Sequence, residues 1–143
     1  MSCRLDVTVL LALAWPNHVH HDAARTWFAS SHADGWLTCG VTESGFIRVS
    51  SNVRVTPDAR TPAEAALLLH RLCSLAGHEF VADTVSLADS FELLGEMAHS
   101  SSDVTDAHLI LIARNARANF VTFDRRAAEI AAAHGVTQVL LTL

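Results

Sequence analysis

A parallel β-sheet covered by helices on both faces is the fold class this sequence predicts, and three observations carry it. Short β-prone segments alternate with helical ones along the whole chain. The 143 residues suit one ordinary domain, 1–143, and a hydrophobic share of 50% against 17% charged marks a chain that buries a core. No repeat or low-complexity tract breaks the pattern, and Pro16, Pro57 and Pro62 each fall at a segment boundary.

The first strand, Cys3 to Asp6, runs directly into the apolar helix VTVLLALAW, which stops before Pro16. A second helix is expected from about His20 to Ser30, with Ala23, Ala24, Trp27 and Phe28 on one face. Gly35 to Cys39 is a brief second strand, followed by the helix TESGFIRVSS and a loop from Asn52 to Arg60. Pro62 opens a long helix that carries Ala65, Leu68, Leu69, Leu72 and Leu75 at helical spacing and ends at Gly77. HEFVAD is the third strand. Ser90 to Ala98 and Thr105 to Ala116 are two further helices, ANFVTF is a strand, Arg125 to Ala133 is the last helix, and VTQVLLTL closes the sheet.

Composition removes several function classes. The net charge of −5 has the wrong sign for holding nucleic acid by bulk electrostatics, so a phosphate-bearing substrate must be met locally. All 10 basic residues are arginine. Without lysine, Walker-type phosphate loops and Schiff-base chemistry are excluded. An initial strand running into Asp6, Val7 and Thr8 also suits haloacid-dehalogenase-type phosphatases and response-regulator receivers, but both need a lysine that this chain lacks.

Cys3, Cys39 and Cys73 show no zinc or disulfide spacing and read as small apolar residues in a reducing cytoplasm. Asp6 between Arg4 and the first apolar run argues against a signal peptide, and no apolar stretch approaches the roughly 20 residues of a membrane helix. The expected setting is cytoplasmic, with no membrane partner.

Four acids occupy the same kind of place. Asp6 ends the first strand, Glu43 begins the helix after the second, Asp106 begins a helix, and Asp124 follows the strand ANFVTF and precedes the last helix. Singly, each suits a helix start, where carboxylates cap backbone N–H groups and favour the dipole. Together, parallel connectivity carries all four to one edge of the sheet. Like charges crowded there raise their pKa values and cost stability unless a cation sits among them, and hard oxygen ligands suit magnesium or manganese. Such a centre can activate water and neutralise a phosphodiester.

The segments LDVTVLLAL, VTESGFIRV, VTDAHLILIA and VTFDRR, in this order, resemble those of PIN-domain ribonucleases and, within them, the VapC-type toxins of toxin–antitoxin modules. The resemblance runs from Leu5 to about Leu141 and is weakest between Asn52 and His99. It implies a three-layer α/β sandwich with a central, mostly parallel twisted sheet. It also implies a Mg²⁺- or Mn²⁺-dependent endoribonuclease with Asp6, Glu43, Asp106 and Asp124 as metal-site and catalytic residues. Asp6, Asp106 and Asp124 carry the principal site; Glu43 binds a second ion or orients the attacking water. Asp103 is either a supplementary ligand or a cap of the same helix. The implied partners are a VapB-type antitoxin, an RNA substrate and a second copy of the chain. Thr8 stands where the family commonly has asparagine, which keeps a hydroxyl but loses the amide. That departure supports an alternative reading, a PIN-like module that binds antitoxin or RNA without cutting it.

Among the remaining residues, His18, His20 and His21 suit a solvated loop and helix start, and His108 is a packed residue. Arg48, Arg114, Arg117, Arg125 and Arg126 follow acidic segments and either line the rim to hold RNA phosphates or pair with surface acids. Trp15 and Trp36 could stack on bases, but burial is their default.

Overall fold

The computed structural model describes residues 2–142, and five strands run through it in parallel. They are β1 (Cys3–Leu5), β2 (Trp36–Thr38), β3 (His78–Phe80), β4 (Asn119–Thr122) and β5 (Gln138–Leu140), ordered β3-β2-β1-β4-β5. The helices are α1 (Val7–Ala14), α2 (His21–Ser31), α3 (Gly40–Ser50), α4 (Pro62–Cys73), α5 (Phe91–Met97), α6 (Val104–Asn115) and α7 (Arg125–Ala133). Every expected strand and helix is present, with ends shifted by a few residues at most sites. Leu143, the last residue of the expected closing strand, lies outside the described residues. Two one-turn 3₁₀ helices, His32–Asp34 and Ser101–Asp103, were not expected from the periodicity, which cannot register so short an element.

Local chemistry explains the element ends. Thr61 Oγ1 accepts from the Glu64 N–H at 3.1 Å while Glu64 Oε1 accepts from the Thr61 N–H at 3.2 Å, a reciprocal cap with Pro62 at the first helical position. That helix ends at Cys73 rather than running on to Gly77. Residues 74–77 then turn into β3 through Gly77, whose φ of +88° is a left-handed conformation that a side chain disfavours. A Cβ there would also collide with the His32 carbonyl oxygen.

Alternation along the strands feeds two cores. Cys3, Leu5, Trp36 and Val121 pack with Phe28, Phe46 and Leu69 of α2, α3 and α4, while Phe120 packs with Met97, Leu109, Ile110 and Ala127 of α5, α6 and α7. The sheet is therefore the middle of three layers. Each buried Leu or Phe contributes on the order of 1.5–3 kcal/mol. Trp36 is fully buried, as its default reading had it, with Nε1–H donating to the Ala76 carbonyl at 3.2 Å.

Arg4 is the exception in this interior. It has no exposed surface, and Nε and both Nη atoms lack a hydrogen-bond partner among the described residues. Burial lowers its pKa, partly offset by the charges of Cys39 and Asp83. Asp83 itself lies 2.7 Å from His108 Nε2, at ion-pair distance though off the axis of a hydrogen bond.

From β1 the chain adds β2 and β3 in one direction, then returns to add β4 and β5 in the other. The order reverses between β1 and β4, where open parallel sheets hold ligands beyond the carboxyl ends of their strands. Asp6 follows β1 at that edge, and Asp124 follows β4.

Candidate metal centre

Asp6 is buried at 7% exposure, at the junction of β1 and α1. Thr122, at the end of the neighbouring strand β4, donates its hydroxyl to Asp6 Oδ2 at 2.9 Å. Burial raises the Asp6 pKa; the Thr122 hydroxyl and the N–H groups of Val7 and Thr8 work against that rise, and the Asp124 charge adds to it. The same Thr122 oxygen accepts from the Asp124 N–H at 3.0 Å. One threonine thus ties the two aspartates to adjacent strand ends.

Asp124 is the N-cap of α7, with Oδ1 accepting from the Arg126 N–H at 2.9 Å. Its cap bond engages one carboxylate oxygen, and the residue is exposed. Asp106, half-buried in the first turn of α6, has its pKa pushed up to about 7, first by burial and then by the charges of Asp6, Asp124 and Asp103. Burial alone disfavours its charged form, and the neighbouring acids add to that penalty. Asp6 and Asp124 thus share Thr122 at the switch point, and Asp106 lies within electrostatic reach of both, although the three carboxylates do not close to within 4.8 Å of one another.

Glu43 is placed differently. It lies in the first turn of α3, beyond β2, but its Oε2 accepts from the Thr38 hydroxyl at 2.8 Å. His78 Nε2 lies 2.8 Å from the same hydroxyl oxygen. Because the one hydroxyl proton goes to Glu43, the ring must donate to Thr38. Burial lowers the His78 pKa, opposed by Glu43 and Glu79. The Cys73 thiol also reaches Thr38, and burial with the Glu43 charge raises its pKa to about 11. Glu43 is thus turned toward the β2–β3 side of the sheet, while the three aspartates share the β1–β4 side.

Asp103 occupies the N-cap position of α6 but makes no side-chain cap bond, and both its oxygens are engaged elsewhere. It is buried, Oδ1 accepts from Arg126 Nε and Oδ2 from Arg126 Nη2, each at 2.8 Å, and Oδ2 also accepts from the His99 N–H at 3.0 Å. The guanidinium bonds hold this carboxyl well below the usual carboxylate range. Both expected roles give way to a third, a bidentate clamp between the starts of α6 and α7. Sequence spacing cannot show it, because the partners are 23 residues apart.

Among the arginines, Arg114 and Arg117 lie at or beyond the far end of α6, Arg114 about 12 Å along the axis from Asp106 at 1.5 Å per residue. Neither reaches the rim. Arg125 is exposed beside Asp124, and Arg48 is exposed farther along α3. The histidines are packed rather than solvated: His20 stacks on Phe123 with ring centroids 4.3 Å apart, and His21 Nδ1 meets the Ala12 carbonyl at 2.7 Å. Trp15 is half-buried and donates to Ser50 Oγ at 3.0 Å.

The PIN domain family matches residues 4–133. Ribonuclease VapC39 of Mycobacterium tuberculosis is 44% identical over 140 residues, covering 98% of this chain and 100% of that protein. Ribonuclease VapC38 of the same organism is 46% identical over 120 residues, covering 84% of this chain and 83% of that protein. The crystal structure of Mycobacterium tuberculosis VapC20, a sarcin-ricin loop cleaving toxin, superposes with a TM-score of 0.69 at 18% identity, covering 96% of this chain and 98% of that one. At that identity the match supports the fold alone.

Proposed function

This chain belongs to the PIN-domain family, among its VapC ribonucleases, and from that premise we propose that it is a metal-dependent endoribonuclease acting as the toxin of a toxin–antitoxin pair. The observation that carries the chemistry is the joining of Asp6 and Asp124 through Thr122 at the switch point between β1 and β4, with Asp106 near enough for their charges to add to the burial cost that raises its carboxyl pKa. A divalent cation among Asp6, Asp106 and Asp124 removes that cost, and three carboxylates are the hard oxygen donors that Mg²⁺ or Mn²⁺ takes. When bound, the ion supplies a water activated for attack and neutralises charge on the phosphodiester.

The chain's own residues do the rest. Thr122 keeps Asp6 and Asp124 in fixed orientation through its two hydrogen bonds. The Asp103–Arg126 clamp fixes the start of α6, and with it Asp106, against the start of α7. Arg125, exposed next to Asp124, is placed to meet an RNA phosphate. Glu43, held by Thr38, stands ready to orient water or a second ion from the β2 side. A VapB-type antitoxin, a second copy of the chain and a cytoplasmic setting belong to the same reading. No helix among the described residues is long and apolar enough to cross a membrane.

The test is to incubate the protein with structured cellular RNAs in Mg²⁺, Mn²⁺ or chelator, beside an Asp106→Asn variant. Discrete fragments that require metal and vanish in the variant are expected. A folded, metal-binding protein that cuts nothing overturns the nuclease reading in favour of the binding module, and Thr8→Asn is then the substitution to test for restored cleavage.

A further inference from the structure

We propose that Cys73, His78 and Glu43 form a second metal site, selective for a borderline-soft ion of the Zn²⁺ type and distinct from the three-aspartate centre. Three donors of different kinds, a thiol sulfur, an imidazole nitrogen and a carboxylate oxygen, lie within 4.8 Å of one another. They come from the last residue of α4, the first of β3 and the first turn of α3.

The placement is built into the fold. β3 is fixed to β2 by parallel pairing in which Trp36 faces His78 and Thr38 faces Phe80. The left-handed turn at Gly77 brings the chain from α4 to His78. Glu43 Oε2 and His78 Nε2 each approach the buried Thr38 hydroxyl to 2.8 Å, and the Cys73 sulfur lies within 4.8 Å of a ligating atom of each. Three ligating groups so close together need little reorientation to take an ion between them.

The donor set decides which ion. Sulfur, nitrogen and oxygen together suit Zn²⁺, which takes Cys, His and Glu in tetrahedral sites and leaves a fourth position for water. Mg²⁺ prefers oxygen throughout and is a poor match. On binding, the Cys73 S–H bond breaks, its proton passes to solvent and the sulfur bonds the ion, while the His78 proton leaves Nε2 and returns to the ring at Nδ1, so that the Nε2 lone pair turns from Thr38 to the ion. Glu43 becomes a ligand and is withdrawn from the neighbouring centre. This last consequence, inhibition of RNA cleavage by Zn²⁺, rests on the ribonuclease reading; the site itself does not.

Co²⁺ titrated into the metal-free protein should give a thiolate-to-cobalt charge-transfer band at one ion per chain, erased by Zn²⁺ and unaffected by Mg²⁺. Cys73→Ser, nearly isosteric, should abolish the band with an unchanged circular dichroism spectrum. His78→Ala should weaken binding by about tenfold or more, while Asp106→Asn should leave the band intact. Absence of a band, its survival in Cys73→Ser, or its loss in Asp106→Asn would overturn the site. In Mg²⁺-supported cleavage, one equivalent of Zn²⁺ should slow the natural protein but not Cys73→Ser; equal slowing of both would overturn the inhibitory role. A band without cleavage under any condition would leave the second site standing and refute the ribonuclease reading alone.

Discussion

Replacing Asp106 by asparagine should stabilise the metal-free protein at neutral and alkaline pH while removing its activity. An acid whose folded pKa lies above its unfolded one binds more protons when folded, so stability falls as pH climbs between the two values. For Asp106 that window runs from 3.8 to about 7. At about 1.4 kcal/mol per pH unit the rise would be about 4 kcal/mol, and solvent screening at this partly exposed carboxyl brings the expected cost to about 2 kcal/mol, fully developed above pH 7. Total stabilities are about 5–15 kcal/mol, so the effect is a large share. Urea unfolding in chelator at about pH 5 and about pH 8 reads it directly. With a slope near 2 kcal/mol per molar urea, the variant's midpoint should exceed the natural protein's by about 1 M at the higher pH and by much less at the lower. Added Mg²⁺ should raise the natural protein's midpoint and close the gap. A natural protein whose midpoint does not change with pH, or a variant that follows it at both values, would refute the argument that carboxylate crowding is relieved by a cation.

Thr122→Val removes the donor to Asp6 and the acceptor for the Asp124 N–H, and should cost about 1–3 kcal/mol in denaturant unfolding together with most of the metal-dependent cleavage. Arg4→Met should be neutral or stabilising by about 1–4 kcal/mol, since it replaces a buried guanidinium that has no hydrogen-bond partner among the described residues by an apolar chain; a loss of several kcal/mol would show that the charge is compensated. Asp103 is held below the usual carboxylate range, so its contribution is present above that range and lost as pH falls through it. Arg126→Met should therefore shift acid unfolding to higher pH, followed by circular dichroism. Gly77→Ala, at φ +88° and facing the His32 carbonyl, should lower the unfolding free energy, read from urea titration, by more than the roughly 1 kcal/mol of an ordinary glycine replacement.

The alternation of elements was legible because each change of period, from two to 3.6, is local, and Pro16 and Pro62 mark boundaries in the residue string itself. Asp6 and Asp124 were legible for the same reason, each sitting where a short apolar run ends and a helix begins. The orientation of Glu43 was not. It depends on Thr38, five residues earlier, and on His78, 40 residues from Thr38, which meet only through the register of β2 on β3. Asp103 likewise looked like a helix cap until the fold delivered Arg126 to both its oxygens. The packing of His20 against Phe123 escapes any local pattern, since the two rings come from opposite ends of the chain.

The hydrogen bond from Thr122 to Asp6 closes over 116 residues, and β1 pairs with β4 across the same distance. A nascent chain therefore carries Asp6 long before it carries the strand that completes the site. At about 5–20 residues per second, several seconds of synthesis separate the two, and pairings so remote in sequence form late in folding. Should the polypeptide cleave RNA when complete, its unfinished copies cannot assemble the centre, so a ribosome making it is shielded by chain order alone. On the toxin reading, translation that stops before β4 yields only an inert fragment, and a protecting partner has work to do only once the C-terminal strands emerge.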